Sequence, residues 1–231
     1  MHFSHSPEIW SRFPELVPAV LVAQGIQAQA QVAQDVERLH ARARERLGSV
    51  ASESELPEIQ AWRRVFSRMG LKPTQYRCAS ESLLRRFKKE GPLPPMHPLI
   101  DLCNAASMAF GIPVAAFDLD QVAQRLEVRP ALGSESYLAF SGETEHPEAG
   151  EVVFADAQGR AHARRWTHRQ SGLSAIRATT SRVLIVAEAV HATASRDVPE
   201  LSRELAATLQ AAWGCSVKQA VLSREQPRLD A

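Results

Sequence analysis

The sequence predicts an α+β fold, with helices packed on a mixed β-sheet. Three observations carry this. Helical periodicity dominates the first 110 residues. Strand-like runs and turns dominate from Pro113 onward. The two patterns do not alternate regularly, as a βαβ fold would require.

The elements follow in chain order. Residues 16–24, LVPAVLVAQ, are apolar enough for a buried strand. Val32, Val36, Leu39, Ala43 and Leu47 recur at helical spacing, with Gly48 as the stop. A polar connector, SVASESE, precedes a second helix that starts at Pro57, shows Ile59, Trp62, Phe66 and Met69 on one face, and closes at Gly70. Ser80 reads as the N-cap of a third helix that Gly91 and Pro92 end. GPLPPMHP, with four prolines in eight residues, is an extended connector. A fourth helix covers Leu99 to Phe110, with Gly111 after it. Strands are expected at 113–118, 126–129, 151–155, 161–167 and 183–190, with DAQG at 156–159 as a hairpin turn. A helix from Pro199 to Trp213 and a strand at 217–222 complete the chain. The connector near 48–56 divides residues 1–55, an N-terminal strand and helix, from a main domain at 56–231, the two packed as one compact unit.

Composition excludes several classes. The 231 residues are 45% hydrophobic and 23% charged, the balance of an ordinary globular protein. No apolar run approaches the roughly 18 residues that span a bilayer. The N-terminus has no basic-then-apolar secretory pattern. Cys78, Cys103 and Cys215 are far apart and odd in number, which fits neither a disulfide framework nor a zinc site and points to the cytoplasm. The net charge of +1 hides two basic blocks. Residues 63–89 carry nine Lys or Arg against Glu81 alone, and residues 160–182 carry six Arg and no acid. Such blocks make either a polyanion-binding face or solvated surfaces. Phosphate-binding loops, dinucleotide fingerprints, nucleophile elbows and dense histidine clusters are all absent, so no cofactor and no metal is expected.

One segment carries more. Leu93 to Asp120 reads LPPMHPLIDLCNAASMAFGIPVAAFDLD, with the skeleton proline, I-D-L-x-N, helix, G-x-P-V, A-F-D-L-D. It resembles the B-three/B-four segment of the phenylalanyl-tRNA synthetase beta chain, where a V-D-V-T-N helix precedes G-x-P and H-A-F-D. MGLKPTQYRCASESLLRRF upstream, and PEAGEVVFAD, RRWTHRQSG, the pair Thr179 and Thr180, and VLIVAEAV downstream, continue in that family's order. FPELVPAVLVAQGI and WGCSVKQAVLS at the two ends are similar to free-standing members. The resemblance implies helices on a mixed sheet, a pocket for a mischarged amino acid on a tRNA end, and hydrolysis of its ester. The chain departs from the pattern at the editing histidine, where it has Ala115, and at a glycine-rich turn, where it has Arg165 to Gln170.

The expected function is therefore trans-editing deacylation of tRNA mischarged with an aromatic or non-protein amino acid. The alternatives are a non-catalytic tRNA- or amino-acid-binding module and a purely structural protein. Glu188, which matches the family's pocket glutamate, is a catalytic candidate by that resemblance, and an isolated carboxylate in an apolar strand needs a buried partner or solvent. His168, as the nearest replacement histidine, and Arg169, as oxyanion or phosphate partner, complete the catalytic set. Asp101, Asn104 and Ser107 share one helix face and either line the pocket or anchor the proline-rich connector. Trp166 either stacks on the terminal adenine or belongs to the core, and Tyr76 is the other substrate-binding candidate. Lys72, Arg77, Arg85, Arg86 and Arg165 are RNA-contact candidates or solvated surface. The expected partner is aminoacylated tRNA, with no membrane involved.

Overall fold

A four-stranded antiparallel sheet is buried on both faces, and its central strand explains why. In residues 183–187, Leu184 and Val186 enter one apolar core while Val183, Ile185 and Ala187 enter another. Successive side chains of a strand point to opposite faces, so a continuous apolar run needs cover on both sides.

The computed structural model describes residues 1–230. Its elements begin with β1 (His2–His5), α1 (Pro7–Arg12), β2 (Val17–Gln24), α2 (Ala33–Gly48), α3 (Pro57–Arg68), α4 (Ala79–Glu90) and α5 (Pro98–Phe110). They continue with β3 (Val114–Asp118), β4 (Arg125–Pro130), β5 (Tyr137–Leu138), β6 (Thr144–Glu145), β7 (Val152–Asp156), β8 (Ala161–Arg164) and β9 (Arg169–Gln170). The last are β10 (Arg182–Ala189), α6 (Ala194–Trp213), β11 (Val217–Val221) and β12 (Arg228–Asp230).

The four-stranded sheet has the order β11-β2-β10-β3. A six-stranded sheet runs β12-β1-β4-β7-β8-β9 and is mixed, because β1 and β4 are parallel while its other pairs are antiparallel. Strands β5 and β6 form a small ribbon. One core joins the two sheets and contains Phe117 and Phe154, with ring centroids 5.4 Å apart, together with Trp62 and Phe66 of α3. The other joins the four-stranded sheet to α2, α5 and α6 through residues such as Leu39, Phe110 and Leu205. The fold is α+β, with helices on sheets as the sequence predicts. Among the described residues, no helix is long and apolar enough to cross a membrane.

Several local expectations are corrected. Ser80 does not cap α4; Cys78 stands at the N-cap, and Ser80 is a buried residue of the first turn within 3.3 Å of the Cys78 sulfur. The strand expected over 161–167 stops at Arg164, because Arg165 and Trp166 are left-handed, at φ 48° and 56°. Helix α6 starts five residues before Pro199. The Thr193 carbonyl accepts the Arg196 and Asp197 amides, and the Asp197 carboxylate accepts from Thr193 and His191, so the first turn forms despite the proline that follows. Strands β1 and β12 were not expected, since four- and three-residue strands leave too little periodicity to read.

Candidate active site between the sheets

Glu188 is the seventh residue of β10, on the face it shares with Val186 and hence with the inter-sheet core. Val186 pairs in register with Ala115 of β3. These residues, with Trp166, Thr167, His168, Arg169 and Gln170, line a cavity of about 70 Å³. The position of the expected histidine, now Ala115, is therefore in the same wall as Glu188, and His168 lines the same space.

Glu188 is buried and held twice on one oxygen. Oε1 accepts from Trp166 Nε1 at 2.9 Å and pairs with His5 Nε2 at 2.8 Å. A carboxylate only accepts, so His5 carries its proton on Nε2. The other His5 nitrogen is buried without a partner. Oε2 of Glu188 has no hydrogen-bond partner among the described residues.

Trp166 is 1% exposed and packs edge-to-face with Trp62 at 5.1 Å and with Phe13 at 4.8 Å. Both aromatic neighbours are core residues, so in this conformation no indole face is presented to a base. Two consecutive left-handed non-glycine residues, each costing about 1–3 kcal/mol, put this indole against Glu188.

His168 is half-buried. Its Nδ1 donates to the Arg77 carbonyl at 2.8 Å, and its ring meets Tyr76 edge-on at 5.4 Å. A carbonyl only accepts, so the lone pair of the neutral ring sits on Nε2. Burial lowers the His168 pKa, and the charges of Arg165 and Arg169 push the same way against the Arg77 hydrogen bond. The ring is thus a neutral base near pH 7.

Arg169 lines the same cavity, but its guanidinium is engaged by a different carboxylate. Its guanidinium pairs with both Glu145 oxygens, at 3.1 and 3.2 Å, over the Tyr137 ring. Arg164 joins this network through Glu145 and Glu151.

The predicted substrate-binding set is not brought together. Asp101 and Asn104 lie on the far side of the four-stranded sheet, at a cavity beside the proline-rich connector. Asp101 accepts the Met96 amide at 3.0 Å, so it anchors that connector. Ser107 is fully buried and donates to the Ile112 carbonyl at 2.7 Å, where it fastens the end of α5. Tyr76 lines a third, polar cleft with Lys72 and Arg165, whose guanidinium lies 4.8 Å from the Tyr76 ring centroid. Of the other basic candidates, Arg77 faces Glu81 at 3.5 Å, Arg85 faces Glu53 at 3.8 Å and Arg86 bonds Glu90 at 2.8 Å. Burial pushes the Cys78 and Cys103 thiols up to about 12, which suits core residues rather than nucleophiles.

Sequence reasoning missed two features. His5 came from a strand too short to notice. Asp156, read only as a turn residue, bonds His162 at 3.2 Å and Arg160 at 2.8 Å, and His162 in turn bonds Ser174 at 2.9 Å. All of this network except Arg160 is buried, so it ties the β7–β8 hairpin to the segment before β10. Elsewhere, Glu58, His191 and Asp197 bring three ligand atoms within 4.8 Å of one another. Arg46 lies 2.7 Å from Glu58, however, and places a positive charge where a cation would bind.

Residues 61–204 match the family model of the B3/4 domain, so the chain belongs to the B3/4 domain family. Among solved structures it is similar to an N-terminal fragment of the phenylalanyl-tRNA synthetase beta-subunit from Pyrococcus horikoshii, at 10% identity and a TM-score of 0.49. That similarity covers 93% of this chain and 49% of the fragment, so the chain spans about half of it. No curated protein matches the chain.

Proposed function

We propose that this protein hydrolyses the ester of a mischarged aminoacyl-tRNA, with the cavity between the sheets as its active site. The observation that carries the reading is the meeting of Glu188 and His168 in one cavity whose wall includes Ala115. Membership in the B3/4 family supports a tRNA-related role.

In this reading His168 Nε2 takes a proton from water, and the water oxygen bonds to the ester carbonyl carbon. The bond to the ribose oxygen then breaks, and the proton returns to that oxygen. Glu188 Oε2 orients the water or the substrate ammonium. Space is the main demand on the chain. About 70 Å³ holds a water or two but not an amino-acid side chain. Entry of substrate therefore requires the Trp166 indole to leave Glu188, with the strained Arg165–Trp166 backbone as the hinge. Lys72, Arg165 and Tyr76, around the adjoining cleft, are the nearest groups for the tRNA end.

The small volume and the clamped Oε1 favour a second reading, a non-catalytic tRNA-binding module. Both are tested by deacylation of a panel of mischarged tRNAs, with Glu188→Gln and His168→Ala beside the wild type. We expect turnover of at least one species and a loss of about 10²-fold or more without the base. Salt-sensitive RNA binding with no turnover of any species would leave the binding module.

A further inference from the structure

The cavity beside the proline-rich connector is a ligand site of a different kind. It measures about 350 Å³ and lies between the start of α2, the connector and the first turns of α5. Its walls are apolar, with Val32, Val36, Leu93 and Pro95 among them. Small-molecule sites have this size and composition, with a few polar groups converging on the space.

Five polar side chains line it; Glu37 is paired with Arg44 and Gln31 donates to the Gln29 carbonyl, and the other three are less used by the fold. His40 is 6% exposed, touches the Phe87 ring at 4.9 Å, and has no hydrogen bond among the described residues. Asn104 also has no hydrogen bond there, and Asp101 uses Oδ1 for the Met96 amide but leaves Oδ2 free. Burial is the main cause that lowers the His40 pKa, so the ring is a neutral acceptor and donor rather than a competing cation. Asp101 and Asn104 are half-buried, so these polar atoms stay accessible from the cavity, and a ligand can pair with them without displacing a bond of the fold.

Charge narrows the ligand. Among the described residues no Lys or Arg lines the cavity, while two carboxylates do: Glu37, paired with Arg44, and Asp101. The chain segment that leads into α2 also borders it, and Val32 at the N-cap of α2 makes no side-chain cap bond. The amides of that first turn favour a negative group.

We propose that this cavity binds a small molecule with an ammonium head and an apolar body of about the size of a phenylalanine side chain. Asp101 and Asn104 hold the ammonium, His40 takes a further polar contact, and Val36, Leu93 and Pro95 enclose the body. The first turn of α2 adds affinity where the ligand also has a carboxylate. The site lies across the four-stranded sheet from Glu188 and does not depend on hydrolysis there.

The test is calorimetric titration of the full chain with phenethylamine, phenylalanine and 3-phenylpropionate. Phenethylamine is expected to bind, 3-phenylpropionate is not, and tighter binding of phenylalanine would assign a role to the α2 amides. Asp101→Asn keeps an acceptor for the Met96 amide and removes the charge, and it should weaken binding by about tenfold or more. Val36→Trp should fill the space and abolish binding, with melting curves checking that both variants fold. Glu188→Gln should leave binding unchanged, which separates this site from the cavity between the sheets. The proposal is overturned if neither amine binds at millimolar concentration. It is equally overturned if binding survives both Asp101→Asn and Val36→Trp in folded protein.

Discussion

The two cavities on either side of the four-stranded sheet use similar residue types in opposite ways. Between the sheets, Glu188 is held by His5 and Trp166, His168 by the Arg77 carbonyl, Arg169 by Glu145 and Gln170 by the Ala116 carbonyl. About 70 Å³ is left over. Beside the connector, His40 and Asn104 have no side-chain hydrogen bond among the described residues and Asp101 is half used, around 350 Å³. A carboxylate whose oxygen is already shared by two donors shapes the protein. Both carboxylates keep one oxygen unbonded, but Asp101 has a single donor on the other and open apolar space beside it, so it can select a ligand with the cavity as it stands. Residue type alone does not distinguish the two cases, and the hydrogen-bond partners do.

The contrast can be broken most directly at its two carboxylates. Glu188→Ala strips the partner from both Trp166 Nε1 and His5 Nε2 inside the core, and we expect a loss of about 2–4 kcal/mol in urea unfolding. A loss below about 1 kcal/mol would mean that Glu188 is not an anchor.

Asp156 sharpens the comparison, as a buried carboxylate satisfied on all sides. Burial works against its ionisation, but hydrogen bonds from His162, Arg160 and the Ala123 amide outweigh it and hold its pKa well below the usual carboxylate range. Its folded pKa is thus below its unfolded value of about 3.9. The stability it contributes is complete above that unfolded value and is lost as pH falls through the folded one. Asp156→Asn should cost about 1–3 kcal/mol at pH 7. It should also flatten the decline between pH 5 and 2 in unfolding curves, and equal slopes for the two proteins would remove Asp156 from the account.

The smallest effect is expected at Asp101. Asp101→Asn retains a carbonyl for the Met96 amide, so stability should change by less than about 1 kcal/mol while ligand binding weakens by about tenfold or more. A loss as large as that of Glu188→Ala would make Asp101 an anchor and dissolve the difference between the cavities.

Much of the fold was legible. Glycines and prolines punctuate the helices: Gly111 ends α5 in the left-handed conformation, and Pro57 opens α3. The I-D-L-x-N to A-F-D-L-D skeleton led to the B3/4 family, which residues 61–204 match. The short strands β1 and β12 were not legible, because one or two apolar positions define no period. Strand β1 exists through its parallel pairing with Arg125–Val128, and that strand is what brings His5 to Glu188.

The sequence by itself therefore determined the long amphipathic helices, the apolar strands and the family, since each is written in local periodicity or a linear motif. Which polar residues meet was decided only by the tertiary structure. Asp101 and Glu188 were placed in one expected site, yet they stand on opposite sides of a sheet, because a strand sends alternate side chains to opposite faces and α5 packs on only one of them. His5 and Glu188 are 183 residues apart in sequence and 2.8 Å apart in space, a juxtaposition that only the pairing of strands across the sheets creates.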